Sequence, residues 1–119
     1  MIIAVDLDGC VVSYKNGWEG PDKFGEIIAG ARQALAELHK AGHHIIIHTC
    51  RYSTPALVQF LRKNDIHFDD INHDAPNAYE DEYKIQGKAI GYRKIHADIY
   101  IDDKGVRFEG NWNSILDFV

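Results

Sequence analysis

Short unbroken apolar runs alternate along this chain with longer stretches of helical period. Ile2, Ile3, Ala4 and Val5 form the first run, too short for a helix and soon followed by Gly9, so it predicts a buried strand ending in a sharp turn. Ile27, Ile28, Ala31, Ala34, Leu35 and Leu38 recur at helical spacing, Glu37 and Lys40 lie on the other side, and Gly42 is placed to end the element. The β-branched run within residues 44–51 predicts a second buried strand. Thr54 and Pro55 offer a cap and a pre-set first residue for a second helix, with Leu57, Val58, Phe60 and Leu61 as its apolar side and its end near Asn64. Residues 68–71 read as a short edge strand dissolving into a turn at Pro76, and Ile99, Tyr100 and Ile101 as another short buried strand. Asn111 then opens a short amphipathic helix through Trp112, Ile115, Leu116 and Phe118, expected to close the core.

Strand, helix, strand in repetition predicts right-handed parallel crossovers and hence an α/β class with a mainly parallel sheet. Two stretches stay irregular. Residues 13–25 carry Gly17, Gly20, Pro21 and Gly25 among Tyr14, Trp18 and Phe24, which reads as a loop or flap whose aromatics either cover a ligand or pack the loop down onto the domain. Residues 79–84 are polar and acidic, suited to an exposed loop or short helix, and Gly87 and Gly91 break any longer element.

Composition narrows the class further. A chain of 119 residues fits a single domain over 1–119, and 45% apolar with 26% charged residues is the balance of a globular protein without a bilayer-spanning run. The first strand begins directly after Met1, leaving no leader, so a cytoplasmic location is expected and membrane association is not. Cys10 and Cys50 lack the spacing of a zinc or redox pair and are expected as reduced thiols. The net charge of −5, with Lys and Arg scattered, argues against nucleic-acid binding except as a substrate.

The polar residues that end the strands carry the candidate chemistry. Asp6 and Asp8 stand two apart after the first run, so both face one side if strand geometry continues through Asp8. Two like charges so placed disfavour each other's ionisation unless a cation or donor lies between them. The same stretch also fits a strand that stops in an Asp-Gly turn with solvated carboxylates. Asp102 and Asp103 end the last strand, and parallel strands end on one edge, so these four acids can surround one oxygen-ligated cation, most simply Mg²⁺. Thr49 ends the second strand on that edge, Arg51 follows it, and Lys94 lies on the connection entering the last strand. His67 and His73 match no compact ligand pair on one element, and residues 67–77 read as a solvated strand end.

Apolar strand then D-L-D-G-C-V-V, apolar strand then H-T-C-R, a lysine, and apolar strand then I-D-D, in that order, resembles the four-motif signature of the haloacid dehalogenase superfamily over nearly the whole chain. The resemblance implies a Rossmann-like three-layer α/β/α sandwich with the first strand inside the sheet. It also implies a Mg²⁺-dependent phosphatase with Asp6 as nucleophile, Asp8 as general acid/base, Thr49 as phosphate donor and Lys94 as the motif lysine, with Lys84 and Lys88 as competitors for that role. Asp6, Asp8, Asp102 and Asp103 match the metal-holding positions, Asp103 as direct ligand with Asp102 behind it and Asp8 through its backbone carbonyl. Gly9, Cys10, Thr49 and Arg51 would edge the substrate, Arg51 by pairing with a second anionic group or as an ordinary ion-pair partner. Cys10 departs from the Thr or Val usual after the glycine. The intervals between motifs leave no room for a large cap domain, so the site would accept phosphorylated small molecules or macromolecules, or be covered by residues 13–25 or by a second copy in a homo-oligomer.

Two other readings share these residues. A catalytically silent phosphate-binding or interaction module would keep the fold without turnover. A receiver-like phosphoacceptor domain uses similar groups, but its acylated Asp ends a middle strand, and the late Asp102-Asp103 pair has no counterpart there.

Overall fold

In a computed structural model, which describes residues 1–76 and 94–119, four strands line up as one parallel sheet. They are β1 (Ile2–Val5), β2 (His44–Ile47), β3 (Asp70–Ile71) and β4 (Ile99–Ile101), in the order β3-β2-β1-β4, which puts the first strand inside. The register aligns Val5 with Ile47 and Ile101, and Ile47 with Ile71, so all four strands end on one level. Among the described residues three helices accompany them: α1 (Ala31–Lys40), α2 (Pro55–Lys63) and α3 (Trp112–Phe118). None of the helices among the described residues is long and apolar enough to cross a membrane.

Alternation along β1 and β2 divides the core. Ile3, Val5, Ile45 and Ile47 meet Leu35 of α1 and Leu57 and Leu61 of α2, because two successive crossovers of one hand set both helices on the same face. Ala4 and Ile46, pointing the other way, are also buried, so the sheet is covered on both faces. α2 begins as its sequence dictates, with Thr54 Oγ1 accepting the Leu57 N–H at 3.2 Å and Pro55 in the first turn.

Four expectations need correction. The first helix starts at Ala31 and not at Ile27, because Ile27 bridges Val12 in antiparallel fashion and the Ile28 N–H donates to the Val11 carbonyl at 2.8 Å. Gly30, in the left-handed region at φ 89°, then separates that link from the helix. β4 is an outer strand among the described residues, and Ile99, Tyr100 and Ile101 stay 38–41% exposed where burial was expected. α3 does not close the core: it buries none of its residues, and Trp112 leans on Phe108 with ring centroids 4.9 Å apart. The third strand is also shorter than expected, starting at Asp70. The expected loop or helix at 79–84, Gly87, Gly91 and the lysines Lys84 and Lys88 lie outside the described residues.

Candidate active site

The level strand ends place one polar residue after another along a single edge. Asp6 follows β1 and its N–H donates to the Ile101 carbonyl at 2.9 Å, the His48 N–H donates to Val5, and the Asn72 N–H to Ile47. Each strand is thereby extended by one rung before the chain turns away, which is how a parallel sheet builds a crevice at its carboxyl edge.

After Asp6 the chain folds tightly. The Leu7 carbonyl accepts the N–H groups of Cys10, Val11 and Val12, and the Gly9 N–H donates to the Val12 carbonyl at 2.8 Å. Gly9 has φ 99°, and a Cβ there would collide with the Asp103 carboxylate, so glycine is required both by conformation and by that close approach. This turn overturns the expectation that Asp6 and Asp8 project side by side. β1 stops at Val5, and the Asp8 side chain leaves the acidic group to meet Arg51.

What gathers instead is Asp6, Cys10 and Asp103, whose ligand atoms all lie within 4.8 Å of one another. Asp6 is pushed up to about 6, first by burial, then by the hydrogen bond it shares with Asp103, then by the charge of Asp102, with the Leu7 N–H on its carboxylate (2.9 Å) working the other way. The Cys10 thiol is also pushed up, by burial and then by the charges of Asp6, Asp103 and Asp102, which keeps it protonated and a poor soft ligand. Asp102 turns back to accept the Lys104 N–H at 2.7 Å, leaving Asp103 as the acid facing Asp6. Two carboxylates facing each other at a half-buried strand edge are an oxygen donor set that fits Mg²⁺.

Arg51 organises the other half of the site. It is 8% exposed and grips Asp8 through two parallel bonds, Nε to Oδ2 at 2.7 Å and Nη2 to Oδ1 at 3.0 Å. Its remaining donors go to the carbonyls of Gly20, Pro21 and Lys23, at 3.4, 3.3 and 2.9 Å, so all five guanidinium N–H groups are engaged by the protein. The Trp18 and Phe24 rings take its faces, with centroids 4.7 and 4.6 Å from Cζ, and Phe24 stacks in turn on Phe60 of α2 at 4.2 Å. The aromatics of residues 13–25 therefore pack the loop down around this one cation. A cavity of about 270 Å³ remains between that loop, Asp8 and Arg51.

Thr49 and Lys94 have different fates. The Thr49 N–H donates to Asn72 Oδ1 at 2.9 Å and its Oγ1 accepts the Arg51 N–H at 3.1 Å, leaving the hydroxyl proton to donate elsewhere. Lys94 precedes β4, two residues before His96, whose N–H donates to Asp74 Oδ1 at 2.9 Å beyond the end of β3. The Lys94 Nζ sits 4.4 Å from the Tyr100 ring centroid. Asn72 lies within the stretch expected as a solvated strand end. In the left-handed region at φ 52°, it bridges Thr49 and the Arg51 carbonyl (2.9 Å) and so fixes the loop after β2. An asparagine directly after a strand was its only signal.

The chain is similar to a solved structure described as a conserved protein from Bacteroides thetaiotaomicron, with 27% identity and a TM-score of 0.63 over 99% of this chain and 88% of that one. No protein-family model matches the chain, and no curated protein does.

Proposed function

We propose that this protein is a Mg²⁺-dependent phosphomonoester hydrolase acting through an aspartyl-phosphate on Asp6. The observation that carries the reading is the meeting of Asp6 and Asp103 from neighbouring strand ends, with Asp6 pushed up to about 6 by burial and by the hydrogen bond it shares with Asp103. The motif order that resembles the haloacid dehalogenase superfamily supports the same assignment.

Asp6 and Asp103 would hold the ion, with Asp102 behind them and the Asp8 backbone carbonyl nearby. Bound there, Mg²⁺ neutralises the phosphoryl oxygens and the carboxylates together. The Asp6 carboxylate attacks phosphorus in line, forming a P–O bond to its own oxygen as the bond to the leaving alcohol breaks. Thr49 donates its hydroxyl proton to a phosphoryl oxygen, and the turn at Gly9 keeps side chains out of the approach. Asp8 delivers a proton to the departing oxygen and then takes one from the water that cleaves the acyl-phosphate, returning Asp6 as carboxylate with free phosphate. Arg51 takes one acceptor position on each Asp8 oxygen, which leaves a lone pair on each to carry the proton while the same guanidinium anchors the loop. No step is assigned to Lys94, whose ammonium faces Tyr100.

That same clamp favours a second reading, a phosphate-binding module without turnover, in which Asp8 serves only to hold Arg51 and the loop. An aryl-phosphate assay with Mg²⁺ separates the two. The hydrolase reading expects turnover in the wild type and its loss in Asp6→Asn and Asp8→Asn. Turnover undiminished in Asp6→Asn would overturn the nucleophile assignment, and phosphate binding without turnover in the wild type would select the silent module.

A further inference from the structure

Outside the acidic edge, the chain gathers a second set of donors from three separate places in the sequence. His39 lies on the last turn of α1, which runs against the strands and so ends at the opposite, amino edge of the sheet. His67 and Asp69 lie on the connection into β3 at that edge, and one ligand atom from each of the three falls within 4.8 Å of the others. We propose that His39, His67 and Asp69 form a binding site for a zinc-class divalent cation at the amino edge of the sheet.

Donor chemistry sets the cation class. Two imidazoles and one carboxylate suit Zn²⁺ and its analogues Co²⁺ and Ni²⁺, whereas Mg²⁺ prefers oxygen alone. Geometry points the same way. His67 Nε2 is buried and makes no hydrogen bond, although Asp69 Oδ1 is only 3.3 Å away. A simple histidine–aspartate pair would use that contact as a hydrogen bond, since an unsatisfied buried nitrogen is costly. Ligands at about 2.0–2.1 Å from a tetrahedral ion stand about 3.3–3.4 Å apart without bonding to each other, which is the relation found here.

The surroundings hold the donors in place. Asp69 Oδ2 accepts the Ile45 N–H at 2.7 Å, fixing the carboxylate so that Oδ1 is the oxygen turned to His67. His44 bonds Asp70 at 2.6 Å and stands 4.0 Å from Asp69, lending the cluster a fourth side. The His39 and His67 rings stack with centroids 3.6 Å apart and planes 24° from parallel, and His39, exposed on the helix end, can tilt to bring its nitrogen onto the ion without disturbing the core. Three protein ligands leave one position for water, and the bound ion would tie α1 to the β3 connection.

The test uses the untagged full chain, freed of metal and then titrated with Zn²⁺ by calorimetry in excess Mg²⁺, with Co²⁺ absorption as a second readout of four-coordinate geometry. One Zn²⁺ per chain is expected, bound at least about tenfold more weakly in His39→Ala and in His67→Ala. Binding in His73→Ala and in Asp103→Asn should match the wild type. Should His67→Ala fail to fold, the exposed His39→Ala carries the test alone. No saturable Zn²⁺ binding, or binding lost in Asp103→Asn and kept in His39→Ala, would overturn the site.

Discussion

The two edges of one sheet carry opposite kinds of chemistry. At the carboxyl edge, Asp6 and Asp103 come from the ends of adjacent strands and oppose each other through oxygen, with the protonated Cys10 beside them. At the amino edge, His39, His67 and Asp69 come from a helix end and a connection, and their donors are mainly nitrogen. The difference teaches where charge is left unbalanced. The carboxyl edge concentrates negative charge in a half-buried crevice and raises Asp6 accordingly, whereas the amino edge disperses its donors over pairs such as His44 with Asp70. The first edge also holds a folded loop over a cavity lined by Asp8 and Arg51.

The largest expected effect separates the edges outright. Asp103→Asn should lower Mg²⁺-dependent phosphatase turnover at least about a hundredfold, as loss of a metal ligand does. A zinc-selective chelator in excess Mg²⁺ should leave turnover unchanged, and a loss there would move the chemistry to the imidazole edge and break the contrast. Next comes the Arg51 clamp. Arg51→Ala strands the Asp8 carboxylate and releases the loop carbonyls, so urea unfolding should show a loss of about 3 kcal/mol. A loss under 1 kcal/mol, about what an exposed ion pair contributes, would mean that solvent and not Arg51 supports Asp8.

A smaller effect follows from Asp6. Its folded value of about 6 lies above the ordinary 3.8, so its contribution to stability is present below about pH 4 and is lost as pH rises through about 6. Relative to the wild type, metal-free Asp6→Asn should therefore gain on the order of 1 kcal/mol between pH 4 and pH 7, the half-exposed setting having weakened the effect. Thermal melts across that range check it, and Mg²⁺ should raise the wild-type melting temperature more at pH 7 than at pH 5. The smallest effect belongs to the amino edge. In metal-free buffer His39→Ala should change stability by less than about 0.5 kcal/mol, because the side chain is exposed and loses only its ring contact with His67.

These expectations also mark what the sequence could convey. β1, β2 and α2 were legible because each announces itself in one contiguous run, and Asp6, Asp102 and Asp103 were legible because acids directly follow such runs. The start of α1 was not, since the pairing of Ile27 with Val12 depends on the turn at Gly9 and overrides the helical period of Ile27 and Ile28. Asp8 was misplaced for the same reason: the turn, not the strand, sets its direction. α3 has the amphipathic pattern of a core helix, yet nothing in a pattern says which surface it will meet. The role of Asn72 and the gathering of His39 with His67 come from contacts between residues 21 or more positions apart, which no local spacing encodes.

The central claim is that Asp6 becomes covalently phosphorylated. Rapid quenching of the protein during turnover of an aryl phosphate with Mg²⁺, followed by borohydride reduction and peptide mass spectrometry, reads this directly. Reduction of an aspartyl-phosphate yields homoserine, expected at position 6, dependent on Mg²⁺ and absent from Asp6→Asn. Steady turnover with no homoserine at that position, or with the label on another acid, would contradict it.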